Sequence, residues 1–195
     1  MSSKFDPQKH HRRSIRLKGY DYTSPGGYFI TIVTYHREWL FGEIVNGEMK
    51  LSNYGKIADE CWRAVHDHFS NVDLGTYVIM PNHVHGIIVI NDGADANASA
   101  RRDTPWRVPT EQFGKPHSGS IGTIIRQYKS SVTRTITKRG GESAIWQPNY
   151  YEHIIRNERE WNNIHLYIEA NPTNWSEDEE NPSRTIIDPS IAKIE

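Results

Sequence analysis

The segment "DLGTYVIMPNHVHGIIVI", residues 73–90, constrains the fold more than any other. It holds two runs rich in β-branched and aromatic residues, which read as strands, with only Pro81 and Asn82 between them. So short a connection leaves no room for a crossover, so the two strands are antiparallel neighbours. Upstream, after the turn "SPGG", the run "YFITIVTY" (28–35) reads as another core strand, and "LFGEIVNGEMKLS" reads as a small hairpin around Asn46-Gly47, a dipeptide suited to a tight turn of positive φ. Between these elements, Ile57, Cys61, Ala64, Val65 and Phe69 recur at helical spacing, with Ser52 or Asn53 placed to cap the start. Further on, Ile121, Ile124, Ile125, Tyr128, Val132 and Ile136 form the apolar stripe of an amphipathic helix. "AIWQPNYYEHIIRN" reads as a strand with Pro148 at an edge or bulge, and Asn157 with Glu160 starts a last helix that stops at Asn171-Pro172. The order is β-α-β-β-α-β with one extra helix, which predicts an α+β, ferredoxin-like antiparallel sheet.

A chain of 195 residues is the size of a single domain with a real core. Its net charge of −1 hides an uneven distribution. Residues 1–19 carry six bases and one acid, residues 121–139 carry five bases and no acid, and residues 173–195 carry six acids and two bases. The expected organisation is therefore a basic arm (1–19), one domain (20–172) and an acidic tail (173–195) read as a loose extension. Residues 91–120 are rich in Gly, Ala, Pro and polar residues without any period, and read as a flexible insertion or lid. No signal peptide or long apolar run is apparent, so the expectation is a soluble cytoplasmic protein without a membrane partner. Cys61 is the only cysteine, which excludes an internal disulfide or a cysteine-based zinc cluster; a metal would need His, Asn or carboxylate ligands.

With ten histidines, an H-x-H pair is weak evidence by itself. His66 and His68 in "VHDHF" have that spacing, but on a helix they diverge by roughly 200° and cannot grip one ion. His83 and His85 lie on a strand, where alternate residues share a face, so both imidazoles can reach one metal. Two structural histidines hydrogen-bonded at a strand end are the competing reading. On the last helix, Tyr167 and Asn171 lie four apart and project from the same side.

"MPNHVHGIIVI" followed by "IWQPNYYEHIIRNEREWNNIHLYIEANP" resembles the HUH endonucleases, specifically the single-tyrosine transposases of bacterial insertion sequences. Among these it is similar to the REP-associated tyrosine transposases, through the elements Trp-Gln-Pro, Glu-His-x-Ile-Arg and Tyr-Ile-x-x-Asn-Pro. The resemblance spans about residues 12–175 and leaves the insertion and the acidic tail unexplained. It implies that His83, His85 and Asn171 hold a divalent metal, Mg²⁺ or Mn²⁺, and that Tyr167 is the nucleophile. Imidazoles alone would suit zinc equally well. Tyr128 also follows the histidines on a helix, but it lies on the apolar stripe and has no Asn or Gln four residues later.

The implied reaction is attack by Tyr167 on a phosphodiester of single-stranded, hairpin-flanked DNA, giving a 5′-phosphotyrosine and a free 3′-hydroxyl. Arg12, Arg13, Arg16 and Lys18 in the arm, and Arg126, Lys129, Arg134 and Lys138 on the amphipathic helix, are candidate phosphate contacts. The rival readings are a domesticated hairpin-DNA binder that no longer cuts, and a metal-dependent phosphohydrolase in which water attacks. The oligomeric state, a homodimer among the alternatives, is left open, as is whether the tyrosine serves its own subunit.

Overall fold

A computed structural model of the chain describes residues 20–92 and 119–184. Four strands form one antiparallel sheet: β1 (Gly26–Val33), β4 (Val72–Ile79), β5 (His83–Ile90) and β6 (Tyr151–Ile155), in the order β4-β5-β1-β6. The β4–β5 pair is the antiparallel hairpin expected from the Pro81-Asn82 connection, with one irregularity in register between Leu74 and Tyr77. A separate two-stranded hairpin, β2 (Gly42–Val45) and β3 (Glu48–Leu51), turns at Asn46 and Gly47, whose φ values of 55° and 78° are those the turn requires. The architecture is the α+β antiparallel sheet with helices that the order of elements predicts.

Alternation along β1 and β5 divides the core. Tyr28, Ile30 and Ile32 of β1, with Val84, Ile88 and Ile90 of β5, face α1 (Asn53–Arg63) and α3 (Ile121–Lys138), and this layer is the larger core. All six residues of the apolar stripe on α3 are buried in it. Gly86 has a specific reason to lack a side chain there: a Cβ would lie 2.3 Å from the Trp62 ring, which packs directly on the strand. Ser52 caps α1 by accepting from the Gly55 amide, as expected. The helix breaks at Ala64, however, and a four-residue helix α2 (Val65–His68) follows, so the predicted single helix to Phe69 is two pieces.

On the opposite face, Phe29 of β1 and Ile87 of β5 meet Ile168 of α4 (Glu158–Ala170) in a much smaller apolar cluster. Asn157 caps α4 by accepting from the Glu160 amide, and Asn171 is its C-terminal boundary residue. One helix cannot cover four strands, so this face is only partly closed. Among the described residues no helix is long and apolar enough to cross a membrane.

The acidic tail departs from expectation. Through residue 184 it is a folded strap, because Trp175 and Asn181 are buried and hydrogen bonds secure the rest. Asn181 donates to the Trp175 carbonyl, Arg37 pairs with Glu180 at 2.7 Å, and Asn82 donates to the Glu180 carbonyl at 2.7 Å. The anchor Arg37 lies in a turn where it and His36 both take positive φ, 57° and 54°. The basic arm, most of the insertion (93–118) and the end of the tail (185–195) lie outside the described residues. The insertion's flanks are held in place: Asn91 donates to Asp73, and Ser120 caps α3.

Candidate active site

His83 and His85 stand at the start of β5 on the α4 face, followed on that face by Ile87. Both are buried, with ring centroids 4.3 Å apart. The protonation of His83 follows from its neighbour. Asn82 gives its amide hydrogens to the carbonyls of Arg37 and Glu180, so its Oδ1 faces His83 Nδ1 at 2.9 Å. An amide oxygen only accepts, so Nδ1 carries the hydrogen and Nε2 presents a lone pair. Burial, and then the adjacent His85, hold the His83 imidazole well below its ordinary pKa, which keeps it neutral. His85 pairs through Nδ1 with Thr31 Oγ1 at 2.9 Å, and its ring stacks on Phe29 at 5.3 Å.

From α4, Tyr167 brings its hydroxyl to 3.2 Å from His85 Nε2, while the residue as a whole is 46% exposed. Partial burial, together with the charges of Asp178, Glu179 and Glu180, pushes the phenol up to about 12. Asn171, one turn later, is buried and donates from Nδ2 to Asp178 Oδ2 at 2.8 Å. Its Oδ1 and His83 Nε2 are both buried without a hydrogen-bond partner. Orphaned acceptors of this kind are costly, and together they mark a place for a positive species.

Asp178 completes the cluster. Ligand atoms of His83, His85 and Asp178 all lie within 4.8 Å of one another, and all three residues are buried. Burial alone would raise the Asp178 carboxyl, but His85, His83, the Asn171 amide and the Glu180 backbone N–H together hold it well below the usual carboxylate range. Two imidazole nitrogens, one ionised carboxylate and an unpaired amide oxygen make a chemically sound site for a divalent cation. Trp175 lies over this cluster, 5.9 Å from the His83 ring, and it tethers the strap that carries Asp178.

Sequence reasoning brought His83, His85, Tyr167 and Asn171 to one face and one helix side, and the fold gathers all four. It missed Asp178, Asn82 and Thr31. Asp178 is one acid in the run "SEDEE", and only the tryptophan three residues earlier distinguishes that stretch from a solvated tail. Tyr128 is a core residue, 2% exposed, whose hydroxyl donates to the Ala58 carbonyl at 3.2 Å. The α3 residues lie on the other side of the sheet from the histidines. Arg126, Arg134 and Lys138 are exposed there, and Arg134 and Lys138 border an open groove with Trp146. Lys129 is instead half-buried and bonded to the carbonyls of Gln147 and Asn149. Arg12, Arg13, Arg16 and Lys18 lie outside the described residues.

No family model matches the chain. An uncharacterized protein of Haemophilus influenzae is 41% identical over 180 residues, covering 92% of this chain and 98% of that protein. A REP-associated tyrosine transposase of Escherichia coli is 27% identical over 100 residues, which is 51% of this chain and 44% of that protein, less than half its length. Among solved structures, a REP-associated tyrosine transposase bound to a REP hairpin aligns with a TM-score of 0.53 at 20% identity, over 85% of this chain and 74% of that one. The chain therefore belongs to one family with the Haemophilus influenzae protein, and it has the fold of a REP-associated tyrosine transposase, to which its sequence is also similar.

Proposed function

We propose that the protein is a DNA strand transferase of the single-tyrosine transposase kind, acting on single-stranded DNA flanked by a hairpin. The observation that carries this reading is the convergence of a half-exposed tyrosine hydroxyl on a buried His-His-Asp cluster where His83 Nε2 and the neighbouring Asn171 Oδ1 are orphaned acceptors. A binder without chemistry has no use for such a site. The likeness to a transposase whose solved structure holds a REP hairpin supports hairpin DNA as the substrate class.

His83, His85 and Asp178 would hold the ion, with Asn171 Oδ1 as a further candidate ligand; Mg²⁺ or Mn²⁺ follows from the family resemblance. When bound, such a cation offsets the charge of the scissile phosphate and fixes its position. The residues of the chain supply the rest. Tyr167 Oη attacks phosphorus, the bond from phosphorus to the 3′ oxygen breaks, and the phenolic hydrogen is lost while the departing oxygen becomes a 3′-hydroxyl. Because the phosphodiester is exchanged and not hydrolysed, reverse attack by a 3′-hydroxyl rejoins strands without an external energy source. His85 Nε2, which lies 3.2 Å from the Tyr167 hydroxyl while Nδ1 faces Thr31, is the nitrogen through which His85 would hold the ion. With that nitrogen committed to an ion, the half-exposed Tyr167 hydroxyl would be free to face the phosphate. Thr31 and Asn82 act as positioning residues that fix the two imidazole rings.

The test is a denaturing gel of protein incubated with labelled single-stranded hairpin DNA and Mn²⁺, with peptide mapping of any adduct. A covalent product mapped to Tyr167 is the expected outcome. Cleavage without an adduct would point to attack by water, and binding without cleavage to a non-cutting binder.

A further inference from the structure

The partly closed face of the sheet holds a second feature that the strand-transfer chemistry does not use. Between β6 and α4 lies a cavity of about 310 Å³ lined by Phe29, Tyr151, His153, Glu160, Asn163 and Ile164. Strand register ties it to the active site. Tyr151 pairs with Thr31, and Thr31 pairs with His85, so the three residues form one row across three adjacent strands on the same face. Two strand spacings put Tyr151 about 10 Å from His85. Phe29 is the shared floor: its ring contacts His85 at 5.3 Å, Tyr167 at 6.0 Å and Tyr151 at 6.3 Å.

The walls favour a flat, neutral ligand. Tyr151 is 47% exposed and edge-on to Phe29, which leaves much of its ring uncovered. Glu160 accepts from the Arg156 amide at 2.9 Å and pairs with His153 at 3.4 Å. Its carboxylate repels a phosphate in this cavity and accepts from an amino group. Asn163 is exposed, one helical turn before Tyr167, and offers both a donor and an acceptor. We propose that this cavity is the subsite for one unpaired nucleobase next to the scissile phosphate, with Tyr151 as its stacking surface and Asn163 and Glu160 favouring a base that carries an exocyclic amino group. The inference rests on the strand-transfer reading above. It adds a specificity element that depends on neither the metal nor the nucleophile.

The experiment measures binding by fluorescence anisotropy, without divalent metal, to oligonucleotides of about twelve nucleotides, within the span of a single-strand-binding surface. The probes are homopolymers of deoxyadenosine, deoxycytidine and thymidine, and the proteins are the full chain and its Tyr151→Ala, Tyr151→Phe and Asn163→Ala variants. Loss of base stacking at Tyr151→Ala should weaken binding of the adenine and cytosine probes by about 5- to 150-fold, whereas Tyr151→Phe should keep it. Thymidine should bind the unaltered protein less tightly than the other two, and Asn163→Ala should narrow that difference. Tyr151 lies on an edge strand and is half-exposed, so its removal leaves the cores intact, which equal thermal melting of the variants verifies. Undiminished binding by Tyr151→Ala would overturn the stacking subsite, and discrimination unmoved by Asn163→Ala would overturn its reading of the base. If the unaltered protein bound none of the three probes, the single-strand reading would fall together with the subsite.

Discussion

The two faces of the sheet each receive a tyrosine from a helix, and their opposite fates show how this fold separates a sealed core from an open candidate site. Tyr128, on α3, is sealed between Trp62 and Trp146 and gives its hydroxyl to a backbone carbonyl. Tyr167, on α4, stands half-exposed with its hydroxyl on a buried histidine. The difference lies in coverage, because two helices close the first face and a single helix crosses the second. Histidines divide in the same way. His66 and His68 sit on the exposed turn of α2, where His66 is bonded to the Arg63 carbonyl and to Asp67. His83 and His85 share one side of a strand, with Asp178 held against them.

The largest expected effect is on the tyrosines. Tyr167→Phe should lose all covalent attachment to hairpin DNA, since the packed ring stays while the attacking oxygen is gone. Tyr128→Phe should keep the adduct and lose at most about 1 kcal/mol of stability, the net worth of one buried hydrogen bond. An adduct that persists in Tyr167→Phe, or that maps to Tyr128, would invert the assignment of the two faces.

Next come the histidine pairs. Substituting His83 and His85 together by Ala should abolish cleavage while hairpin binding, measured by gel shift, largely remains. The matching change at His66 and His68 should leave both untouched. Cleavage surviving in the first pair would remove the metal from the mechanism. A smaller change probes how the site is held: Thr31→Val deletes the partner of His85 Nδ1 and should weaken Mn²⁺ binding by about 10- to 100-fold. Titration followed by electron paramagnetic resonance reads this directly, and an unchanged affinity would mean that Phe29 stacking alone orients the ring.

The parts of the site that were legible in the sequence are those carried by regular elements. Strand alternation places His83 and His85 on one face, and helical spacing joins Tyr167 to Asn171, because both periods are local and strict. The helix caps at Ser52 and Asn157 and the turn at Asn46-Gly47 were legible for the same reason. Asp178 was not, since its place depends on contacts far apart in sequence: Trp175 beside His83 and Trp39, Arg37 with Glu180, and Asn82 with the Glu180 backbone. An acidic run has no period to read, so its composition suggested a solvated tail. The break at Ala64 was likewise invisible, as the apolar spacing continues through it to Val65.

The smallest expected effect concerns Lys129, which composition grouped with Arg126, Arg134 and Lys138 as a phosphate contact. Burial lowers its ammonium to about 8, and its hydrogens go to the carbonyls of Gln147 and Asn149. Its ordinary pKa in an unfolded chain is about 10.4. In the window between these values the unfolded state binds more protons than the folded one, so the Lys129 contribution makes stability rise with pH from about 8 to 10.4 and stay flat below that range. Lys129→Met should remove that rise. Cys61, whose thiol is pushed up by burial, titrates in the opposite sense in both proteins and cancels in the comparison. The measurement is the urea midpoint of both proteins at several pH values, and parallel curves would show that Lys129 remains charged and solvated. With its charge directed into the loop before β6, Lys129→Met should also leave the salt dependence of DNA binding unchanged, while Arg134→Met, on the exposed rim of the same helix, lowers that slope by about one phosphate contact if this surface meets DNA.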